Sequence, residues 1–237
     1  MQDYCIADLK VRMACEGRTQ QQAEAYRADF EGEPDIVIDV AEASVARERE
    51  LHPELSEDDW RYMLTGGRFA RDLLSYNGLV LHASAVVVDG RAYLFSAPSG
   101  GGKSTHTALW LERFPGSYLL NDDKPALRVD DEGRWWAYGT PWSGTYDISR
   151  NERVPLRAIC FVEKGPSNHI ARADDAEASV RLYTQMAKSR AEEGMAQMLE
   201  LIDRLMADIP IYLMTCTVSE QAAVMAYEAM QGGISDE

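Results

Sequence analysis

A glycine-rich segment, Ser99-Gly100-Gly101-Gly102-Lys103-Ser104, follows an apolar run and precedes a helix-forming stretch. This order predicts a strand, a bend and a helix N-terminus, whose amides and positive dipole end can bind phosphate. Lys103 would place its ammonium group against the outer phosphates, and Ser104 would offer its hydroxyl to Mg²⁺. A turn that merely caps a helix would need neither residue at this spacing. We therefore interpret Ser99 to Thr105 as a nucleotide-binding loop, with Ala97 where the usual pattern opens with glycine.

Two adjacent carboxylates, Asp122 and Asp123, end the next short apolar run. In isolation such a pair is usually a turn or a helix cap. Behind a phosphate loop, two carboxylates at a strand end can converge on one site. One of them can hold Mg²⁺ together with Ser104, directly or through water. The other, kept from full ionisation by its neighbour, can take the proton from an attacking hydroxyl.

A single histidine, His82, lies in the apolar run that precedes the loop. A lone histidine in a strand is more often a packed or edge residue than a ligand. Because the predicted strand would run beside the phosphate loop, His82 could also reach the metal or the phosphoryl oxygens. The residues themselves leave both interpretations open.

The elements around the loop predict an α/β fold with a mixed β-sheet and flanking helices. Leu79 to Val88 and Tyr93 to Phe95 are apolar, and Asp89-Gly90 between them is a strong hairpin turn signal. The strand that enters the loop is therefore fed by a hairpin rather than by a helical crossover, which disfavours a Rossmann-type fold. We assign residues 78–237 to this core and residues 1–77 to an N-terminal α/β segment packed on it.

Apolar periodicity predicts the remaining elements of the chain. The predicted strands are Ile6 to Met13, Asp35 to Val40, Tyr118 to Leu120, Ala126 to Val129, Trp135 to Tyr138, a central Ala158 to Val162, and Ile211 to Cys216. The predicted helices are Thr19 to Arg27, one capped by Ser56 and Asp59 that ends near Asn77, Ala176 to Lys188, Glu193 to Asp208 with a methionine-rich core face, and Ser219 to Gln231. The acidic stretch Glu42 to Asp59 is interpreted as a solvated face.

Composition excludes several classes of function. The 237 residues carry a formal net charge of −15, which argues against binding to nucleic acid or anionic membranes. Four scattered cysteines without CxxC spacing indicate reduced thiols rather than a disulfide framework or a zinc site. The N-terminal region has no signal-peptide core, and no apolar run approaches the ~20 residues of a membrane span. We therefore expect a cytoplasmic protein, with its oligomeric state open.

Together, His82-Ala83-Ser84-Ala85, the glycine-rich loop and Asp122-Asp123 resemble the catalytic core of HPr kinase/phosphorylase. The nucleotide-binding part of ATP-dependent phosphoenolpyruvate carboxykinase has the same order of motifs, and the resemblance covers about residues 79 to 130. It implies a mixed sheet with an unusual phosphate loop, ATP with a divalent metal and, in the kinase branch, transfer of phosphate to a serine hydroxyl. The roles it implies are Asp122 as base, Asp123 and Ser104 as metal-associated residues, Lys103 as phosphate clamp and His82 as an active-site histidine.

The chain departs from that family after the acidic pair. The family's Arg-Gly-rich signature is absent, and Gly139-Thr140-Pro141-Trp142-Ser143-Gly144 stands in its region. This segment could line the acceptor pocket with Trp142 as a wall, or be a turn with a packed tryptophan. Arg150, Arg153 and Arg157 could include a residue that neutralises transition-state charge, although each alone is more often a surface arginine.

The sequence thus predicts a phosphotransferase that uses ATP and Mg²⁺ and acts on a hydroxyl of a small molecule, a peptide or a small protein. Two alternatives stay open at this point. One is a non-catalytic module that senses ATP and presents a surface to a partner. The other is a carboxykinase-type enzyme, for which no carboxylate-binding arginine can be located.

Overall fold

The computed structural model describes residues 1–98, 100–144, 146–187 and 192–232. These residues form seven α-helices and twelve β-strands, arranged as an α/β fold with one small and one large sheet. Among the helices of this described part, none has both the length and the apolar character that crossing a membrane would require.

The bounds of the elements are as follows. The strands are β1 (Gln2–Ile6), β2 (Leu9–Met13), β3 (Ile36–Ile38), β4 (Gly78–Val80), β5 (Ala83–Val88), β6 (Arg91–Ser96), β7 (Tyr118–Asn121), β8 (Ala126–Val129), β9 (Trp135–Tyr138), β10 (Arg153–Lys164), β11 (His169–Arg172) and β12 (Ile211–Cys216). The helices are α1 (Gly17–Ala23), α2 (Glu42–Leu51), α3 (Glu57–Asp72), α4 (Lys103–Arg113), α5 (Asp175–Gln185), α6 (Glu192–Asp208) and α7 (Glu220–Gln231).

The large sheet has nine strands and is mixed. Its main path runs β4-β8-β9-β10-β6-β5-β7, and β12 pairs with β10 on one side and with β11 on the other. The long strand β10 is parallel to β6 and to β12, whereas β5 is antiparallel to both β6 and β7. The predicted mixed sheet and the central position of residues 158–162 are therefore confirmed.

Helices cover both faces of this sheet. Alternate residues of β5, β6 and β10 pack on α5 and α6 at one face and on α4 and α7 at the other, as the two-residue period of a strand requires. The methionine-rich face of α6 is core, as predicted, because Met198 and its neighbours at helical spacing are buried. Helix α5 ends at Gln185, since Met186 is extended and pairs with Leu81. Lys188, its predicted end, lies outside the described residues.

The predicted hairpin before the glycine-rich loop is present. Asp89 and Gly90 form its turn with φ of 50° and 71°, and β5 pairs with β6 from Val88 opposite Arg91. The run from Leu79 to Val88, however, is two strands and not one. The amide of Leu81 donates to the carbonyl of Pro125, and the amide of His82 donates to the carbonyl of Gln185. These two residues therefore separate β4, which pairs with β8, from β5, which pairs with β6. The placement of His82 on a hairpin arm was therefore wrong: it lies in the break between β4 and β5.

The N-terminal segment differs from its prediction at several elements. Ile6 to Met13 is not one strand, because Ala7 and Asp8 have φ of 52° and 59° and turn the chain between β1 and β2. Helix α2 forms within the stretch predicted as a solvated face, and Val45 is its one buried residue. The capping box of α3, made by Ser56 and Asp59, is confirmed.

Side chains from the N-terminal segment and from the large sheet share one core. Phe69 of α3 stacks on Trp142 at 4.9 Å between ring centroids, and Trp142 donates to the hydroxyl of Thr65 at 3.2 Å. Gly66 permits this approach, because a Cβ there would lie 2.8 Å from the indole ring. The pair Gly66-Gly67 therefore serves helix packing. The division of the chain at residue 77 stays a prediction.

Candidate active site

Strand register brings the three motifs to one edge of the large sheet. Ala83 pairs with Ser96, and Ala85 pairs with Asn121. His82 precedes the first of these strands, the glycine-rich loop follows the second, and the acidic pair follows the third. The three motifs are therefore neighbours in space because β6 and β7 run in the same direction on either side of β5.

The glycine-rich loop has a backbone that glycine alone adopts easily. Gly100 and Gly102 have φ of 73° and 109°, and a Cβ on Gly101 would lie 2.8 Å from the carbonyl oxygen of Pro98. Gly102 is the N-cap of α4, and no side chain caps this helix. The first-turn amides, which include those of Ser104 and Thr105, are thus available to an anion. Ser99 lies outside the described residues.

The ammonium group of Lys103 is buried beneath the loop. Its Nζ donates to the carbonyl oxygen of Ala97 at 2.8 Å and lies 3.0 Å from Nε2 of His82. Burial lowers the pKa of Lys103, and the nearby carboxylate of Asp123 opposes that shift. The lysine is therefore held at the base of the loop, directed toward the acidic pair.

His82 connects the loop to the acidic pair. Its Nε2 lies 3.2 Å from Oδ1 of Asp123 as well as 3.0 Å from Lys103 Nζ. Its Nδ1 lies 2.9 Å from Oε1 of Gln185, an acceptor that orients the ring with a proton on Nδ1. Nε2 is thus within reach of both the ammonium group of Lys103 and the carboxylate of Asp123.

The carboxylate of Asp123 is surrounded by donors. Lys124 Nζ lies 2.9 Å from Oδ2, opposite the His82 contact at Oδ1. Burial raises the pKa of Asp123, but the hydrogen bonds and charges of His82 and Lys124 outweigh it and lower the pKa to about 2. Asp123 is thus ionised at any physiological pH.

The carboxyl group of Asp122 has the opposite environment. Its side chain is buried, and among the described residues its Oδ1 has no hydrogen-bond partner. Burial first, and then the charge of Asp123, raise the pKa of Asp122 to about 7. Such a group can take up and release a proton near neutral pH.

Asp122 borders a cavity of about 370 Å³ between α4 and the end of β7. Ser104 and Thr105 from the start of α4 line the same cavity. Ser104 and Asp122 therefore border one space, which adjoins the glycine-rich loop.

The segment from Gly139 to Gly144 is held over the acidic pair by the N-terminal segment. The carbonyl of Gly144 accepts from the guanidinium of Arg18 and, at 3.1 Å, from the amide of Gln22, while its N–H donates to the hydroxyl of Tyr62 at 3.0 Å. Gly144 has a φ of 71°, and a Cβ there would lie 2.9 Å from Cβ of Asp123. Trp142, the proposed pocket wall, is instead packed in the core.

Sequence reasoning missed Lys164 at the carboxyl end of β10. Because β10 is parallel to β6, both strands end at the same edge. The Lys164 side chain passes the loop, with its Cε 3.7 Å from the position of a Cβ on Gly102. The signal was present: Lys164 ends the apolar strand that was predicted to be central.

The three arginines that were candidates for phosphate contact have other partners. Arg150 lies over the ring of Tyr118, Arg153 pairs with Asp8 at 2.8 Å, and Arg157 donates to the carbonyl of Gln231. These contacts give no support to a role of the three arginines at the phosphates.

A protein-family model described as SynChlorMet cassette protein ScmC matches residues 68–223. The matched stretch contains His82, the glycine-rich loop, the acidic pair and Lys164, but not Arg18 or Tyr62. No curated protein matches the chain.

Among solved structures, the chain is similar to the HPr(Ser) kinase/phosphatase from Coxiella burnetii. The identity is 12% and the TM-score 0.37, over 65% of this chain and 99% of that chain.

Proposed function

We propose that this chain, which belongs to the ScmC family of SynChlorMet cassette proteins, is a phosphotransferase dependent on ATP and Mg²⁺. It would transfer the γ-phosphoryl group to a hydroxyl of a small molecule, a peptide or a small protein. One observation carries the proposal: Lys103 Nζ, His82 Nε2 and Asp123 Oδ1 form a chain with steps of 3.0 and 3.2 Å. These contacts support the proposal because they connect the glycine-rich loop to Asp123 of the acidic pair.

Phosphate binding would use the loop amides, the uncapped start of α4 and Lys103. In an acidic protein this local positive potential is what makes an anionic ligand acceptable. Phosphate oxygens would replace the carbonyl of Ala97 and the ring of His82 as partners of the ammonium group. Lys164, beside Gly102, would add a second cation at the outer edge of the loop.

The oxygen donors present fit Mg²⁺. The described residues contain no cluster of three or more His, Cys, Asp or Glu side chains that could cage a metal. Mg²⁺ needs no such cage, because it commonly binds one or two protein oxygens together with phosphates and water. Ser104 and the ionised Asp123 would supply those oxygens, Asp123 directly or through water. Bound there, the ion would neutralise charge on the phosphates.

Asp122 would act as the base. As the acceptor oxygen attacks the γ-phosphorus, its proton passes to the carboxylate of Asp122. The bond from the γ-phosphorus to the bridging oxygen breaks, and the electron pair leaves with ADP. Asp122 then releases the proton to solvent. Its pKa of about 7 suits both steps at neutral pH.

The test compares nucleotide binding with transfer of label from γ-labelled ATP to candidate acceptors. Lys103→Ala should weaken ATP binding by about tenfold or more, because it removes a buried charged donor. The control is Lys10→Ala, an exposed lysine of β2 whose partner is the carbonyl of Glu31. Unchanged ATP affinity in Lys103→Ala would contradict the proposal. Tight ATP binding without transfer, and hydrolysis no faster than in Asp122→Asn, would favour a sensor module instead.

A further inference from the structure

The cavity beside Asp122 is apolar over much of its wall. Leu111 of α4, together with Tyr146 and Ile148, contributes to its lining. These three residues are 37%, 70% and 41% exposed. The apolar part of the wall is thus open to a ligand from solvent.

The described part of the cavity wall also lacks a positively charged side chain. Asp122 is the one ionisable acid or base other than Tyr146 among the described residues that line it, and no Lys, Arg or His does so. Oδ1 of Asp122 is buried without a partner and borders the same space. Away from the start of α4, a carboxylate or phosphate on an acceptor would lose its hydration, meet the like charge of Asp122 and find no Lys, Arg or His of the described lining as a counter-ion.

We propose that the acceptor is an uncharged alcohol whose hydroxyl adjoins an apolar group. The hydroxyl would bind at Asp122, and the apolar group would pack against Leu111, Tyr146 and Ile148. A volume of about 370 Å³ accommodates one aromatic ring or a branched aliphatic group beside the hydroxyl. This inference rests on the proposed function, and it narrows the class of acceptor that the site would take.

A matched pair of probes tests the inference on the full chain without nucleotide. Benzyl alcohol and para-(hydroxymethyl)benzoate share a ring and a hydroxyl and differ by one carboxylate. With methyl-labelled protein, benzyl alcohol should shift the signals of Leu111 and Ile148. Its affinity should exceed that of the benzoate by about tenfold or more, as expected for an uncompensated charge. Equal or tighter binding of the benzoate, or no shift with either probe, would overturn the inference.

A charge introduced into the wall should reverse this preference. Leu111→Lys should lower the affinity for benzyl alcohol and raise the affinity for the benzoate. Ile148→Lys provides a second, independent variant. The control is Leu199→Lys on α6, a leucine of similar exposure (43%) outside the cavity, which should change neither affinity. An unchanged preference in both cavity variants would contradict the assignment of the binding wall.

The outcome separates this inference from the proposed function. A preserved preference for benzyl alcohol in a protein that neither binds ATP nor transfers phosphate would reject the phosphotransferase and keep the chemistry of the cavity. Efficient transfer of phosphate to anionic acceptors would support the phosphotransferase and reject the uncharged alcohol as the acceptor.

Discussion

The two sides of the acidic pair have opposite electrostatic environments. On one side Asp123 lies in a network in which Lys124, His82 and Lys103 are each within hydrogen-bond distance of a partner. On the other side Asp122 faces a largely apolar cavity, with one carboxyl oxygen unpartnered among the described residues. One side has charges that compensate one another, and the other has a single carboxyl group without compensation.

The difference separates two residues of the same type by their environment. Their pKa values are driven apart, to about 2 for Asp123 and about 7 for Asp122. Pairs of titratable groups whose pKa values are separated in this way are typical of acid–base sites. The compensated side can hold a fixed charge near phosphates, and the uncompensated side can exchange a proton.

The largest expected effect comes from removing each carboxylate separately. Asp122→Asn should lower the transfer rate by about 10²–10⁴-fold, the range of a lost general base, and leave ATP affinity unchanged. Asp123→Asn should lower both transfer and ATP affinity, because it removes the negative charge proposed to hold Mg²⁺ and paired with Lys124. Rapid-quench assays and calorimetric titration measure the two quantities. Full transfer activity in Asp122→Asn would overturn the assignment of the base.

The second effect is a dependence of the rate on pH. Because Asp122 must be ionised to accept a proton, transfer should rise about tenfold per pH unit below its pKa of about 7 and level off above it. Asp123, with a pKa of about 2, should contribute nothing in this range. A profile of the rate from pH 5 to 9, with an acceptor that does not titrate there, checks this.

The same raised pKa predicts a change in stability of the folded protein. In the unfolded chain the carboxyl group of Asp122 has its ordinary pKa of 3.8, whereas in the folded protein burial and the charge of Asp123 raise this pKa to about 7. The folded state therefore loses stability, relative to Asp122→Asn, as pH rises through this window. The variant should melt at least about 3 °C above the parent at pH 8 and close to it at pH 4. An equal difference at both pH values would show that charge is not the cause.

A smaller effect is expected from the N-terminal segment, which holds Gly144 over the acidic pair. Arg18→Met should lower kcat about tenfold, the scale of a disturbed positioning contact, with ATP affinity unchanged. It should also lower the apparent pKa in the rate profile, because Asp122 would become better hydrated. Arg27→Met, which removes an exposed pair with Glu24, serves as the control. A lower kcat without a shifted profile would point to a merely structural role for Arg18.

The sequence predicted the parts of this site that depend on local pattern. The strand–loop–helix order around Lys103, the hairpin at Asp89-Gly90 and the capping box at Ser56 follow from turn chemistry and periodicity within a few residues. The break at His82 could not be predicted in this way, since its amide pairs with Gln185, far along the chain. The contact of Arg18 with Gly144 likewise depends on tertiary packing.

Removal of Lys164 should have the smallest effect on ATP binding, and it allows a direct comparison with Lys103, the other cation at the loop. Lys103 is buried with two partners, whereas Lys164 is exposed and has none among the described residues. Because exposed charges are screened, Lys164→Met should weaken ATP binding only about three- to tenfold at low salt and less at high salt. Adenosine affinity should not change, since the contact is to phosphate. Lys10→Met, with no such effect, is the control. Equal losses for ATP and adenosine would show that Lys164 supports the fold of the loop rather than the binding of its anion.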